Sequence, residues 1–176
     1  MLPAIILALV LADVRNCACD VTKPETMEST NCGLCREAEK QPLERGVFFL
    51  KDANPSKPNR LLALPRKHTA GPHFLYDLSD ADRVELFNAA IAKGKELWGD
   101  QWGVAYNGVE RRTQCHAHIH IGKLVPNAET GQDYMVINNV ADIFVPPDGS
   151  GFWIHSVNGK IHEHPGAQVT EFILER

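Results

Sequence analysis

Gln114-Cys115-His116-Ala117-His118-Ile119-His120-Ile121-Gly122 sets three histidines at every second position, with small or apolar residues between them. Two residues is the side-chain repeat of a β-strand. The spacing therefore predicts a strand over 115–123, with His116, His118 and His120 on one face and Ala117, Ile119 and Ile121 on the other. At about 3.4 Å of rise per residue, neighbouring histidines would stand about 7 Å apart and the outer pair about 14 Å. A single ion reaches two of them but hardly three. A row of this kind suits a central nucleophile flanked by groups that orient it and its target.

Outward from this stretch, two apolar runs precede it. Gly46-Val47-Phe48-Phe49-Leu50-Lys51 and Arg60-Leu61-Leu62-Ala63-Leu64-Pro65 read as strands, and the turn-rich 52–59 between them predicts an antiparallel hairpin. Ser79 with Asp82 three residues on is a capping-box arrangement, and Val84, Phe87, Ile91 and Trp98 then recur at helical spacing until Gly99. Leu34 to Lys40 suggests a short helix, and 103–107 and 134–138 further strands. Asn158-Gly159 between 152–157 and 160–164 is a two-residue hairpin signal that makes His155 and His162 cross-strand partners. The fold class expected is α+β: an antiparallel sheet with one main capped helix packed on it.

A chain of 176 residues is long enough for one domain with a core of its own. A formal charge of −4 argues against a general nucleic-acid binder, which needs a basic surface. Met1 to Ala12 is continuously apolar but too short for a bilayer span; it fits the h-region of an export signal, with Val10 and Ala12 as small cleavage-site residues. The expected organisation is a signal-like segment 1–12, a cysteine-containing segment 13–45, and a main domain 46–176 that carries the triad and a C-terminal hairpin. Periplasmic or secreted location follows. In such a chain Cys17, Cys19, Cys32 and Cys35 could form two disulfides, yet Cys32-Gly33-Leu34-Cys35 is also a metal-ligand spacing. Both readings stand at this level.

The triad stretch, with the helix before it and Pro65-Arg66-Lys67-His68 earlier, resembles the histidine-triad (HIT) superfamily, whose members carry His-x-His-x-His on a strand and an apolar strand ending Pro-x-x-His. The likeness covers about Cys32 to Lys123. The segments 46–52, 61–65 and 113–121, with a counterpart at Val169-Thr170-Glu171, are similar to the bacterial CDP-diacylglycerol pyrophosphatase branch. Those enzymes continue into a further C-terminal segment, so a lipid-facing part is expected to be missing.

The resemblance implies a HIT-like sheet and hydrolysis, or transfer, at a phosphoanhydride of a nucleotide conjugate. CDP-diacylglycerol, yielding CMP and phosphatidate, is one candidate. His118 would attack phosphorus with a neutral imidazole nitrogen, which a reference pKa near 6.5 makes available at neutral pH. His116, His120 and Gln114 would complete the catalytic group. Asn107 and Thr113 would bind the phosphates, and Lys123 would neutralise developing charge. Several superfamily members hold a structural zinc, and the matching ligands are Cys32, Cys35, His68 and His116. The implied partners are a nucleotide conjugate with a membrane lipid as its distal half, no nucleic acid, and a second copy of the chain. The rivals are a metal-dependent His-x-His enzyme, its shell completed by His155, His162 and His164, and a non-catalytic metal- or nucleotide-binding module.

Overall fold

The computed structural model describes residues 14–68 and 73–176, so the signal-like run at 1–12 lies outside it. The strands are β1 (Val47–Lys51), β2 (Leu61–Pro65), β3 (Trp102–Tyr106), β4 (Ile119–Lys123), β5 (Met135–Ile137), β6 (Gly151–Val157) and β7 (Lys160–Ala167). They form one antiparallel sheet in the order β1-β2-β4-β3-β6-β7-β5. A short helix α1 (Gly33–Glu39) precedes β1, and the main helix α2 (Asp80–Trp98) lies between β2 and β3.

The local signals act as their chemistry demands. Val47 pairs with Pro65 and Lys51 with Leu61, closing the first hairpin. In its loop the Asp52 and Asn54 carboxyl and amide oxygens each accept an N–H two residues on, the local bond that turns the chain. Ser79 Oγ accepts the Asp82 N–H at 3.2 Å and donates to the Asp82 carboxylate at 2.7 Å, capping α2. Gly99 ends the helix at φ 58°, a conformation that favours glycine. Asn158 and Gly159 both take positive φ, as a type I′ turn requires, and His155 does pair with His162.

α2 buries Leu86, Phe87, Ala90, Ile91 and Gly94. Val84 and Trp98, expected on that stripe, are only half-buried. The helix packs on the sheet face that carries Val104, Tyr106, Ile119, Ile121, Phe152 and Ile154, and these form the main core. Gly94 permits the close approach, since a Cβ there would meet Trp102 Cβ at 2.9 Å. Strand alternation then sends His120, Ala105 and Trp153 to the opposite face, away from α2. The functional side chains sit on that second face.

Two expectations need correction. The triad strand starts at Ile119, not at 115, because the backbone of the preceding residues bonds elsewhere: Cys115 N–H to Asn31 O, His73 N–H to Cys115 O, and the Arg112 guanidinium to the carbonyls of 114–116. The three histidines therefore do not form one even row. His118 and His120 remain neighbours, with ring centroids 5.3 Å apart, whereas His116 turns to His68 and His73 at 5.2 and 5.1 Å.

The second correction concerns the cysteines. Cys17 is bonded to Cys115 and Cys19 to Cys32, while Cys35 is free and buried. A sulfur held in a disulfide offers no thiolate, so Cys32 drops out of the expected zinc set. The first bond ties the N-terminal segment to the loop before β4, and the second closes a loop within that segment. No helix among the described residues is long and apolar enough to cross a membrane.

Candidate active site

A cavity of about 700 Å³ opens where α1, the β1–β2 loop, the end of β3 and the loop before β4 converge. His118 and His120 line it together with Asn107, Thr113, Gln114 and Glu171. Five cationic side chains (Arg36, Lys51, Lys57, Arg111 and Arg112) face three carboxylates (Glu37, Asp52 and Glu171) in its lining, a balance that favours an anionic ligand.

His118 is 7% exposed, and its Nδ1 lies 2.8 Å from the His116 carbonyl oxygen. A carbonyl only accepts, so Nδ1 carries the proton and Nε2 keeps the lone pair. The orienting carbonyl is itself fixed. Arg112 Nη2 donates to it at 3.1 Å and also to the carbonyls of His73, Gln114 and Cys115 at 2.9 to 3.1 Å, while Nη1 donates to the Tyr106 hydroxyl at 2.8 Å. Burial, reinforced by the nearby His120 and Arg112, holds the His118 imidazole well below its usual pKa. The free base is thus the resident form near neutrality.

His120 is set by Asn107. The Asn107 Oδ1 accepts the backbone N–H groups of Thr170 and Glu171 at 3.0 and 3.2 Å, which leaves Nδ2 facing His120 Nε2 at 3.4 Å. An amide nitrogen can only donate there, so His120 carries its proton on Nδ1. That nitrogen faces Glu171 at 3.5 Å and Asp52 at 3.8 Å. Burial outweighs both carboxylates and lowers the His120 pKa to about 4. Glu171 in turn accepts from Lys57 at 2.6 Å and Arg60 at 2.8 Å.

The remaining expected residues are placed unevenly. Thr113 stands exposed in the cavity wall. Gln114 also lines the cavity, but its amide is engaged: Oε1 accepts the Leu34 N–H at 3.1 Å and Nε2 donates to Thr30 O at 3.0 Å. Lys123 lies outside the lining and pairs with Glu175 at 3.0 Å. Lys57, Asp52 and Arg112 had not been singled out from the sequence. A buried arginine that organises four carbonyls has no local pattern to find; Lys57 lies in a loop whose sequence speaks only of turns, and Asp52 closes the segment 46–52 without a role that its neighbours in sequence reveal.

His116 belongs to a second cluster. Cys35, His68 and His116 each bring one ligand atom within 4.8 Å of the others. His116 Nε2 donates to Pro65 O at 2.7 Å and His68 Nδ1 faces Glu39 Oε1 at 3.2 Å, so the lone pairs fall on His116 Nδ1 and His68 Nε2. Both of those buried nitrogens, and His73 Nδ1 beside them, lack a hydrogen-bond partner among the described residues. Orphaned imidazole lone pairs converging on a thiol are the donor set of a zinc site, and a carboxylate or carbonyl behind each ring is the usual outer support. Three of the four expected ligands fit; Cys32 does not. Burial pushes the Cys35 thiol up to about 11, so an ion bound there would displace a proton.

No family model matches the chain, and no curated protein matches it.

Proposed function

We propose that this chain is a HIT-type hydrolase of nucleotide diphosphate conjugates, related to the CDP-diacylglycerol pyrophosphatases, acting outside the reducing interior of the cell. One observation carries the reading: the Nδ1–H of His118 is tied to a fixed backbone carbonyl, leaving Nε2 as a buried, neutral nucleophile in a cation-lined cavity. The two disulfides accord with an oxidising compartment.

The chemistry follows from the tautomer. His118 Nε2 forms a bond to the nucleotide-side phosphorus as the bridging P–O bond breaks, and the distal phosphate leaves. Positive charge then develops on the imidazole and is met by the His116 carbonyl through Nδ1–H. The cavity's lysines and arginines offset charge on the phosphates. Water next attacks the same phosphorus, the P–N bond breaks, and a nucleoside monophosphate departs with His118 restored. His120, held by Asn107 and backed by Glu171, stands beside the reacting nitrogen to contact the phosphate. Zinc would be held by Cys35, His68 and His116, where it would brace the loop before β4 and supply no step of the reaction.

Hydrolysis of nucleotide diphosphate conjugates, CDP-diacylglycerol among them, in water enriched in ¹⁸O tests the route. The label is expected in the mononucleotide. Label confined to the other product means attack at the distal phosphorus and removes the mechanism.

The pH profile has a worked sign. Protonation of His118 removes the nucleophile, and its pKa lies below the ordinary 6.5 because burial disfavours the cation. The acid limb of kcat/KM is therefore expected below pH 6.5, with activity retained as pH falls through that value. A limb at or above 6.5 would mean that the titrating group is solvent-exposed and is not His118.

A further inference from the structure

On the same sheet face, but sharing no residue with the cavity lining, a second set of histidines converges on a carboxylate. β7 places His162 and His164 two residues apart on one side of the sheet, and β6 brings His155 opposite His162. Glu129 reaches them from the connection between β4 and β5. His155 Nε2 lies 3.3 Å from His164 Nε2 and 3.6 Å from Glu129 Oε2, and His164 Nε2 lies 3.9 Å from Glu129 Oε1.

The proton positions can be assigned. His164 Nδ1 sits 2.9 Å from the Asp133 carbonyl oxygen, so it carries the hydrogen and Nε2 presents a lone pair to the cluster. His155 Nε2 faces that same lone pair, and without an ion the two nitrogens must share one proton. Glu129 is held by His162 Nδ1. The rings are braced by stacking, His164 on Trp153 with centroids 3.7 Å apart and His162 on Tyr134 at 4.3 Å. His155 and His164 are 5% and 3% exposed, whereas the Glu129 side chain is 29% exposed, so the cluster is closed on the sheet side and open at the carboxylate.

We propose that Glu129, His155 and His164 bind a divalent transition ion of the zinc kind, with a coordination position open to solvent. The edge of a tetrahedron with arms of about 2.0–2.1 Å is about 3.4 Å. The two imidazole nitrogens, 3.3 Å apart, are at that edge already, and the carboxylate brings Oε2 to 3.6 Å from His155 and Oε1 to 3.9 Å from His164, with one ligand atom of each residue within 4.8 Å of the others. Two imidazole nitrogens and one carboxylate suit a borderline ion and are poor in the oxygens that calcium or magnesium demand. The carbonyl behind His164 and the imidazole behind Glu129 are the outer contacts that fix a metal ligand's orientation. A purely packing role for these rings would not gather a donor atom from each of three residues within 4.8 Å of one another.

The test is cobalt(II) and zinc(II) binding to the whole chelator-stripped protein, in wild type and in the variants Glu129→Gln and His164→Gln. Cobalt at this site gives visible d–d bands with no sulfur-to-metal charge transfer, which separates it from cobalt at the Cys35 cluster. Glu129→Gln is expected to weaken binding here by at least tenfold, and His164→Gln to remove one equivalent of metal. Glu129 is partly exposed and lies outside the cavity lining, so Glu129→Gln should fold and keep any hydrolysis unchanged, and it decides the matter if His164→Gln does not fold. Wild-type isotherms in Glu129→Gln, or cobalt bound to the wild type only with a thiolate band, would overturn the site. A wild-type protein without hydrolytic activity would defeat the reading of the cavity and leave this measurement standing.

Discussion

His118→Ala is expected to lower kcat on a nucleotide diphosphate conjugate by roughly three orders of magnitude or more while leaving the protein folded, because it deletes the atom that bonds to phosphorus. Among the described residues the imidazole makes one hydrogen bond, to the His116 carbonyl, and that carbonyl keeps its Arg112 partner in the variant. Near-UV circular dichroism and the melting temperature should therefore stay close to wild type. His118→Gly with added imidazole should recover part of the rate, since the cavity then admits a free nucleophile at the vacated place. Turnover within a few-fold of wild type in His118→Ala would remove His118 from the chemistry.

The other large effect is on stability. The Cys17–Cys115 bond joins residues 98 apart in sequence, whereas Cys19–Cys32 spans 13. On the chain-entropy account the longer closure is worth about 4–5 kcal/mol and the shorter about 3 kcal/mol, with measured values falling anywhere from about 0 to 5. Replacing Cys17 and Cys115 together by serine should thus cost more than replacing Cys19 and Cys32. For a chain of this size the melting temperature should fall by about 10 °C. The longer bond also anchors the residue next to His116, whose carbonyl orients the His118 ring, so kcat should fall as well. Equal melting temperatures for the two double variants would overturn the ranking by closure length, and an unchanged kcat in the Cys17/Cys115 variant would overturn the anchoring of the loop before β4.

Much of the scaffold was legible because its signals are local. A serine with an aspartate three residues on, a glycine at positive φ, and an Asn-Gly pair between apolar runs specify backbone conformation within a few residues, so α2 and both hairpins fell where the pattern put them. The even spacing of His116, His118 and His120 misled for the opposite reason. Periodicity reports side-chain alternation in an extended chain, but whether that chain joins a sheet depends on distant partners. Here Arg112, Asn31 and His73 claim the backbone groups of 114–116 before β2 or β3 can. The disulfide pairing was beyond reach because spacing alone does not determine connectivity. Lys123 illustrates a further gap: it follows the triad directly, yet lies away from the cavity and pairs with Glu175. Glu129 illustrates the last, since register brought His155 opposite His162 but nothing local announces a carboxylate arriving from another loop.

The contacts that shape the cavity also bear on how fast the chain can reach its native state. Gln114 meets Leu34 across 80 residues, Asn107 meets Thr170 across 63, and Lys57 meets Glu171 across 114. Each such closure costs chain entropy that is recovered only when the segments dock, which places this topology among the slower folders. Hairpins β1–β2 and β6–β7 can form early because their partners are close in sequence. The pocket wall cannot, because no pair of neighbouring segments contains it. A refolding experiment should therefore show backbone circular dichroism returning ahead of substrate turnover, with a sheet already assembled around a site that is still open.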